Sequence, residues 1–145
     1  MIYVNLPVKD LAKSTEFFAA IGYEFDPKFT DEKNAACMII DDTIFVMLVQ
    51  QEFFATFTSK PMADATTTTE VLLGLSAPSR EAVDIQVAKA VAAGGSQYKT
   101  GDDQGFMYGS GFQDLDGHLW EIFWMDPAAL EQMSAASDAP EGAST

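Results

Sequence analysis

A single carboxylate in the second half of the chain stands inside an otherwise apolar strand pattern. Residues 114–124 read DLDGHLWEIFW, so an acidic turn leads into a strand in which Glu121 is the only acidic residue. Burying an ionised carboxylate without a partner costs on the order of several kcal/mol, so such a group pairs, changes its pKa or binds a cation. Glu121 therefore either lies in water at a strand edge or belongs to a functional site, as a metal ligand or a general base.

The only histidine of the chain, His118, is poorly placed to be a second ligand. It precedes Glu121 by three residues, and residues three apart in a regular strand point to opposite faces. We expect His118 to help shape the turn that follows Asp116 and Gly117. The only cysteine, Cys37, stands in an apolar stretch and is predicted to be a small buried residue rather than a nucleophile.

The overall charge argues against two classes of partner. The formal net charge is −14 over 145 residues, and a surface this acidic repels nucleic-acid phosphates and anionic lipids.

No apolar run reaches the ~18 residues of a membrane-spanning helix, and the N-terminus lacks the pattern of a signal peptide. With one cysteine, no internal disulfide can form. We therefore expect a cytoplasmic protein that binds neither nucleic acid nor membranes.

The elements that position Glu121 are predicted from the spacing of apolar residues. Residues 1–50 follow the order strand, helix, strand, strand, strand, with Asp10 as the helix cap and Gly22 as its stop. The strands are expected over 2–8, 23–29, 35–40 and 43–49, and the helix over 11–21. Residues 51–68 are expected to form a connection with a short helix near its start, since Pro61 and a run of threonines disfavour anything longer.

The same order repeats in residues 69–126. A strand over 71–75 precedes a helix that Ser79 caps and Gly94 ends, and strands follow over 96–100, 106–112 and 118–124. Residues 127–145 are predicted to hold a short helix, which Asp126 caps and which ends at 133, and then a disordered tail of small and polar residues over 134–145. The repeated order indicates an internal duplication of a βαβββ unit.

Two tandem βαβββ units with these motifs resemble the vicinal oxygen chelate superfamily, which contains glyoxalase I, extradiol dioxygenases, fosfomycin-resistance proteins and bleomycin-binding proteins. The residues that carry the resemblance are Val8, Lys9, Asp10, Leu11, Ser14, Phe17, Phe18 and Gly22 in the first unit, and Gly94, Gly95, Asp114, Asp116, Gly117, His118, Trp120 and Glu121 in the second. The resemblance spans about residues 1 to 126. It implies an α+β fold in which two curved mixed sheets surround an open groove that holds a divalent metal or a ligand.

The resemblance also indicates where a metal would be held. Glu121 matches the carboxylate ligand in the last strand of the second unit. The first-strand histidines of the family fall on Tyr3 and near Leu72, with Glu70 two residues earlier on the same face as Leu72. Sites for Zn, Fe or Ni usually need three or more N, O or S ligands. The chain is therefore expected to carry a degenerate metal site, with Glu121 and Glu70 as the candidate ligands.

One face of each sheet would line the groove of such a protein. Strand parity places on that face Tyr3, Asn5, Glu70, Leu72, Glu121 and Phe123, with Tyr108 as a neighbour. A few polar groups among aromatic side chains suit a small organic ligand. In a metal-free groove Tyr3 and Glu121 are the candidate acid–base groups. Alternatively, Tyr3 and Phe123 only fill a closed core.

Three functions remain open at this point. The first is a glyoxalase/bleomycin-resistance/dioxygenase-like protein that binds a small organic molecule in the groove beside a degenerate metal site. The second is a divalent-metal-dependent lyase or dioxygenase, similar to lactoylglutathione lyase or the extradiol enzymes, with Glu121 as metal ligand or base. The third is a metal-free enzyme of the same fold. The resemblance further implies a homodimer, because in many family members a second chain completes the groove or an edge.

Overall fold

The first half of the chain forms one helix and a four-stranded sheet. In the computed structural model, which describes residues 1–138, the strands are β1 (Ile2–Val8), β2 (Glu24–Asp31), β3 (Ala35–Asp41) and β4 (Ile44–Gln50), and helix α1 spans Leu11–Ala20. Asp10 caps α1, since its carboxylate accepts a hydrogen bond from the Lys13 N–H. The sheet order is β1-β4-β3-β2, with β1 parallel to β4 and the other pairs antiparallel.

The second half repeats this arrangement. Helix α2 (Gln51–Phe54) and a connecting segment, residues 55–71, lead to β5 (Leu72–Ser76), α3 (Arg80–Ala92), β6 (Ser96–Asp103), β7 (Met107–Gln113) and β8 (Leu119–Met125). Ser79 caps α3 by accepting a hydrogen bond from the Ala82 N–H. The sheet order is β5-β8-β7-β6, again with the first strand parallel to its neighbour and the rest antiparallel. The predicted α+β fold with two mixed sheets is confirmed.

The C-terminal helix is longer than the sequence indicated. Helix α4 spans Pro127–Asp138, so residues 134–138, expected to begin a disordered tail, are helical. The small residues of this stretch include Ala135 and Ala136, and alanine has the highest helix propensity of all residues. Residues 139–145 of the predicted tail lie outside the described residues. Within residues 1–138, none of the helices has the length and apolar character that crossing a bilayer requires.

The helix-covered faces of the two sheets share one hydrophobic core. Phe18 of α1 packs against Trp120 of β8 with ring centroids 5.3 Å apart, and buried residues of both helices and both sheets form one continuous cluster. This packing joins the two halves directly. Because side chains alternate along a strand, Tyr3 of β1 and Glu121 of β8 each lie on the face of their own sheet that points away from this core.

The acidic turn between β7 and β8 is organised by the buried carboxylate of Asp114. One oxygen accepts a hydrogen bond from Trp120 Nε1 at 3.0 Å, and the other accepts from the backbone N–H groups of Asp116 and His118. Burial raises the pKa of Asp114, and the nearby His118 opposes that rise. The carboxylate therefore holds the turn and the first tryptophan of β8 in one arrangement.

The same turn ties the second half of the chain to the first. The Asp116 carboxylate accepts hydrogen bonds from the Lys9 N–H at 2.7 Å and from Ser14 Oγ at 3.1 Å. His118 Nε2 lies 2.7 Å from the Pro7 carbonyl oxygen, to which it donates when that nitrogen carries the proton. The residues that carry much of the family resemblance thus form a structural joint between the two units.

Candidate functional site

Glu121 lies in the middle of an interior strand and faces a cation. Its strand, β8, is bonded to β5 on one side and to β7 on the other, so the residue is not at a sheet edge. Its Oε1 lies 3.2 Å from Lys99 Nζ, and the side chains of Lys99 and Glu121 are 39 % and 33 % exposed. The carboxylate that the sequence pattern singles out is therefore half-buried and paired.

An irregularity in β6 places Lys99 near this carboxylate. The register between β6 and β7 shifts on both sides of Lys99, and such bulges bend a strand and redirect its side chains. Lys99 Nζ also lies 3.9 Å from Asp102 Oδ2. One ammonium group thus lies close to two carboxylates on this sheet face.

Tyr98 covers the same face of the sheet. Gly111 is the register partner of Glu121, and a Cβ added at Gly111 would lie 2.5 Å from Tyr98 Cε1. The phenol ring therefore fills the space that any side chain at position 111 would need.

The hydroxyl of Tyr98 is in an unusual environment. It is buried, and within residues 1–138 no group forms a well-oriented hydrogen bond with it. Burial and, after it, the charge of the Glu121 carboxylate raise the pKa of Tyr98 to about 12. The phenol therefore remains protonated at neutral pH, and its interaction with Glu121 is electrostatic rather than a well-formed hydrogen bond.

These groups border a cavity of about 230 Å³, which we call the Glu121 cavity. It combines charged side chains with flexible and aromatic ones, among them Lys99, Asp102, Met107, Glu121, Phe123 and Met125. Typical small-molecule sites occupy roughly 300–1,000 Å³ and pair apolar walls with a few convergent polar groups. The Glu121 cavity has that composition and is somewhat smaller than that range.

Only part of the predicted groove gathers around Glu121. Phe123 lines the same cavity, as strand parity predicts. Asn5 and Glu70 instead line a second cavity, which lies between the two sheets and is bordered by the connecting segment. The prediction that these four residues share one groove is therefore not met within a single copy of the chain.

Two further predicted groove residues lie on exposed edge strands. Tyr3 is 42 % exposed and stacks on Phe45, with ring centroids 4.9 Å apart. Leu72 is 52 % exposed at the start of β5. Strands β1 and β5 each form an edge of their sheet, and neither Tyr3 nor Leu72 lines either cavity.

Tyr108, expected as a neighbour of the groove, lines neither cavity. Its hydroxyl donates a hydrogen bond to Asp84 Oδ1 of α3 at 2.6 Å, and the Arg80 guanidinium lies 5.5 Å from its ring centroid. Tyr108 is the register partner of Trp124, which has the parity of the core-facing residues of β8 and not that of Glu121. The hydrogen bond to Asp84 raises the pKa of Tyr108, so this tyrosine belongs to the helix-covered face.

The side chains around Glu121 do not fit a transition-metal site. Within the described part of the chain, no three His, Cys, Asp or Glu side chains are grouped closely enough to hold an ion. The Lys99 ammonium lies 3.2 Å from a carboxylate oxygen of Glu121, and it repels a metal cation. Glu70, the second candidate ligand, lines the other cavity.

Sequence reasoning does not identify Tyr98 and Lys99. Both fall within a predicted strand, where neighbouring residues are expected on opposite faces. The bulges of β6 place both near Glu121, and alternation alone cannot indicate a bulge. The one available signal was Gly111, because a glycine inside a strand often marks the close approach of another group.

Comparison with known proteins agrees with this fold. Residues 1–40 match the family model described as bleomycin resistance protein-like N-terminal. No curated protein matches the chain significantly.

Solved structures resemble the chain over most of its length. A hypothetical protein from S. aureus is 27 % identical, with a TM-score of 0.74 over 86 % of this chain and 92 % of that one. A glyoxalase/bleomycin resistance protein/dioxygenase family enzyme from Burkholderia phytofirmans is 19 % identical, with a TM-score of 0.70 over 85 % of this chain and 96 % of that one. A glyoxalase-related enzyme from Fulvimarina pelagi is 17 % identical, with a TM-score of 0.74 over 86 % of each chain. The resemblance that the motifs carry is therefore confirmed, and the chain has the fold of the vicinal oxygen chelate superfamily.

Proposed function

We propose that this protein binds a small organic molecule in the Glu121 cavity and holds no metal there. The ion pair between Lys99 and Glu121 is the observation that supports this most directly. In the family that the chain resembles, a carboxylate at this position binds a divalent cation. Here an ammonium group from the same sheet supplies the positive charge. A divalent ion would have to displace Lys99 and find further ligands, which the described residues do not provide.

The ion pair is better suited to ligand binding than to holding the fold. The side chains of Lys99 and Glu121 are 39 % and 33 % exposed, and pairs in such surroundings contribute only about 0–1 kcal/mol to stability. Ligand groups can therefore separate them at small cost. The ammonium then donates to an oxygen of the ligand, and the carboxylate accepts from a hydroxyl or amino group. Met107, Phe123 and Met125 contact the apolar part of the molecule.

A second copy of the chain is part of this proposal. The edge strands β1 and β5 have no partner on their outer sides within residues 1–138. Large apolar side chains on them are half exposed, namely Ile2 and Tyr3 on β1 and Leu72 on β5, and Val71 directly before β5 is half exposed as well. Unpaired edges with exposed apolar residues invite pairing with another chain. A homodimer covers both edges.

The dimer also accounts for the divided groove. Tyr3 and Glu121 lie on sheet faces outside the shared core, so one copy cannot bring them together across that core. In the proposed dimer, the sheet face that carries Tyr3 in one copy closes over the Glu121 cavity of the other. The enlarged site then approaches the usual size of a small-molecule pocket.

Metal binding is the first test. Protein stripped with a chelator is titrated with Zn²⁺, Ni²⁺, Mn²⁺ and Fe²⁺ while bound metal and melting temperature are measured. We expect no stoichiometric metal, and the same small shifts in melting temperature for wild type, Glu121→Gln and the control Glu131→Gln, an exposed residue of α4 that does not line the Glu121 cavity. One tightly held metal per chain that disappears only in Glu121→Gln would refute the metal-free site and support the lyase or dioxygenase alternative.

Ligand binding is the second test. A panel of small aromatic carboxylates, amines and neutral compounds is screened against the protein by ligand-observed NMR. We expect the compounds that bind in the Glu121 cavity to lose about tenfold or more in affinity on Glu121→Gln or Lys99→Met, while Glu131→Gln has no effect. A panel in which no compound loses affinity in either site variant would refute binding in the Glu121 cavity.

A further inference from the structure

A second cavity lies where the two halves of the chain meet. It encloses about 300 Å³ between β1, the beginnings of β5 and β8, and the connecting segment, and we call it the Glu70 cavity. It shares no lining residue with the Glu121 cavity. Its volume falls at the lower end of the range for small-molecule sites.

The walls of the Glu70 cavity are fixed by specific contacts. His118 Nε2 lies 2.7 Å from the Pro7 carbonyl oxygen, which holds β8 to β1 at the base of the cavity. Gly117 has φ +90, and a Cβ there would lie 2.6 Å from the Ala65 carbonyl oxygen. The connecting segment therefore packs directly on the turn before β8. Asp64 accepts hydrogen bonds from Thr66 N–H and Thr66 Oγ1, which folds the segment into a local turn.

The charge of the lining is one-sided. Among the described residues, Glu70 is the only acidic one that lines the cavity, and none of the lysines or arginines does. Within residues 1–138, Glu70 forms no ion pair. Glu70 is exposed, so its carboxylate is in contact with water and is free to pair with a positively charged occupant of the cavity.

The rest of the lining suits the apolar part of such an occupant. Phe54, Met62, Leu73 and Leu119 supply apolar and aromatic surface. The face of an aromatic ring such as Phe54 attracts cations. Asn5 adds an amide that can accept or donate a hydrogen bond.

We propose that the Glu70 cavity is a second binding site, which takes a small, mainly apolar molecule with one ammonium group. The ammonium pairs with Glu70, and the apolar part lies against Leu73, Leu119 and Phe54. This site is formed by one copy of the chain and does not depend on the Glu121 cavity, although Val71 borders both the site and the proposed dimer contact.

The test uses 2-phenylethylammonium, with 2-phenylethanol and 3-phenylpropionate as probes of similar size and different charge. Binding to the full chain is followed by calorimetry and by amide shifts in ¹H–¹⁵N NMR spectra. The ammonium compound is expected to bind best and the carboxylate worst, and the amides that shift are expected to be those of residues 62–73 and 117–119. Equal binding of the three probes, no binding, or shifts confined to β6 and β7 would overturn the proposal.

Variants separate this site from the Glu121 cavity. Glu70→Gln should weaken 2-phenylethylammonium binding about three- to tenfold, because the pair it removes is partly in water. It should leave 2-phenylethanol unaffected. Glu121→Gln and Glu131→Gln make the same charge change outside the cavity and should have no effect. Ala63→Trp, on an exposed part of the lining, should block all three probes by filling the space. A loss caused by Glu121→Gln instead would assign the ammonium to the Glu121 cavity and refute the second site.

Discussion

Lys99 Nζ lies 3.2 Å from Glu121 Oε1, on the outer face of the second sheet. The ammonium lies where, by family resemblance, a divalent cation would bind the carboxylate. The two side chains come from β6 and β8, which are separated by β7. The pair therefore spans three strands and depends on the bulged shape of β6.

Removing the ammonium should alter the site more than the fold. We expect Lys99→Met to change the free energy of unfolding by less than about 1 kcal/mol, because the pair is half exposed. Urea denaturation checks this against Lys28→Met, which removes an exposed lysine from β2. We also expect divalent metals to bind Lys99→Met more tightly than wild type, since Glu121 then lacks its cation. A loss of about 3 kcal/mol or more would show that the pair holds the sheet together.

The Tyr98 hydroxyl should lose its proton at a higher pH than an ordinary tyrosine. Its pKa is raised from 10.0 to about 12 by burial and by the charge of Glu121, and ultraviolet absorbance during alkaline titration measures it. The titration curve of Tyr98→Phe, subtracted from that of wild type, gives the absorbance change of Tyr98 alone. In Glu121→Gln, the pKa obtained from this difference should move toward 10. A Tyr98 signal that already appears near pH 10 in wild type would contradict its placement beside Glu121.

The same shift has a consequence for stability. The folded state favours the neutral phenol, so the contribution of Tyr98 to stability is fully present below pH 10 and is lost as the pH rises through about 12. At neutral pH, Tyr98→Phe removes a buried hydroxyl without a well-formed partner. We therefore expect it to be neutral or stabilising by up to about 1 kcal/mol, measured by urea denaturation.

Gly111 should resist substitution where a neighbouring glycine does not. A Cβ at position 111 would lie 2.5 Å from the Tyr98 ring, whereas a Cβ at Gly109 would meet its nearest atom at 3.6 Å. Gly111→Ala is expected to cost about 1–3 kcal/mol by overpacking, and Gly109→Ala much less. Adding Tyr98→Leu should recover part of the loss at Gly111, which a double-mutant cycle detects. Equal costs at the two glycines would exclude the close approach of Tyr98.

Asp114 should give the protein a distinctive pH dependence. Its folded-state pKa is raised from 3.8 by burial, so its contribution to stability is present below pH 3.8 and is lost as the pH rises through the folded-state pKa. Asp114→Asn should cost about 1–3 kcal/mol at low pH, because one hydrogen bond of the turn loses its acceptor. The gap between wild type and variant should narrow as the pH rises above 3.8. Asp42→Asn, in an exposed turn, should show neither effect.

Charged substitutions on the sheet edges should separate the proposed dimer. Leu72 is 52 % exposed on β5, and Ile85 is 47 % exposed on α3. We expect Leu72→Lys to convert a dimer into a monomer in sedimentation experiments, since it places a charge in the proposed contact. Ile85→Lys alters an equally exposed residue outside that contact and should leave the dimer intact. A wild-type protein that sediments as a monomer at micromolar concentration would refute the dimer.

Local signals were sufficient for the architecture. The caps at Asp10 and Ser79 and the apolar spacing after each cap predicted α1 and α3, and alternation predicted each strand to within a few residues. The site was harder to predict. Alternation placed Phe123 beside Glu121 correctly, because β8 is regular. It could not reveal Lys99 and Tyr98, since bulges break the alternation of β6. Tyr108, expected as a neighbour of the groove, lies on the helix-covered face instead.

The placement of Tyr3 and Asn5 depended on a different kind of information. Parity shows which face of its own sheet a residue occupies, and Tyr3 does lie on the face away from the core. Parity does not show how two sheets are arranged in space. The core formed by both helices directs the faces of Tyr3 and Glu121 away from the interior, and that arrangement is set by packing between elements distant in the chain.

The turn that holds Asp114, Asp116 and His118 has a consequence for how proteins of this fold are recognised. Each of these residues has hydrogen-bond partners in the turn itself, in β8 or across the boundary with the first half of the chain. A sequence motif made of these residues therefore indicates that the two halves of the chain pack together. It does not indicate whether the carboxylate of Glu121 pairs with a lysine or binds a metal. In this fold the signature can therefore persist while the chemistry a few residues downstream is exchanged, and assigning a reaction requires identifying the charge that faces the carboxylate.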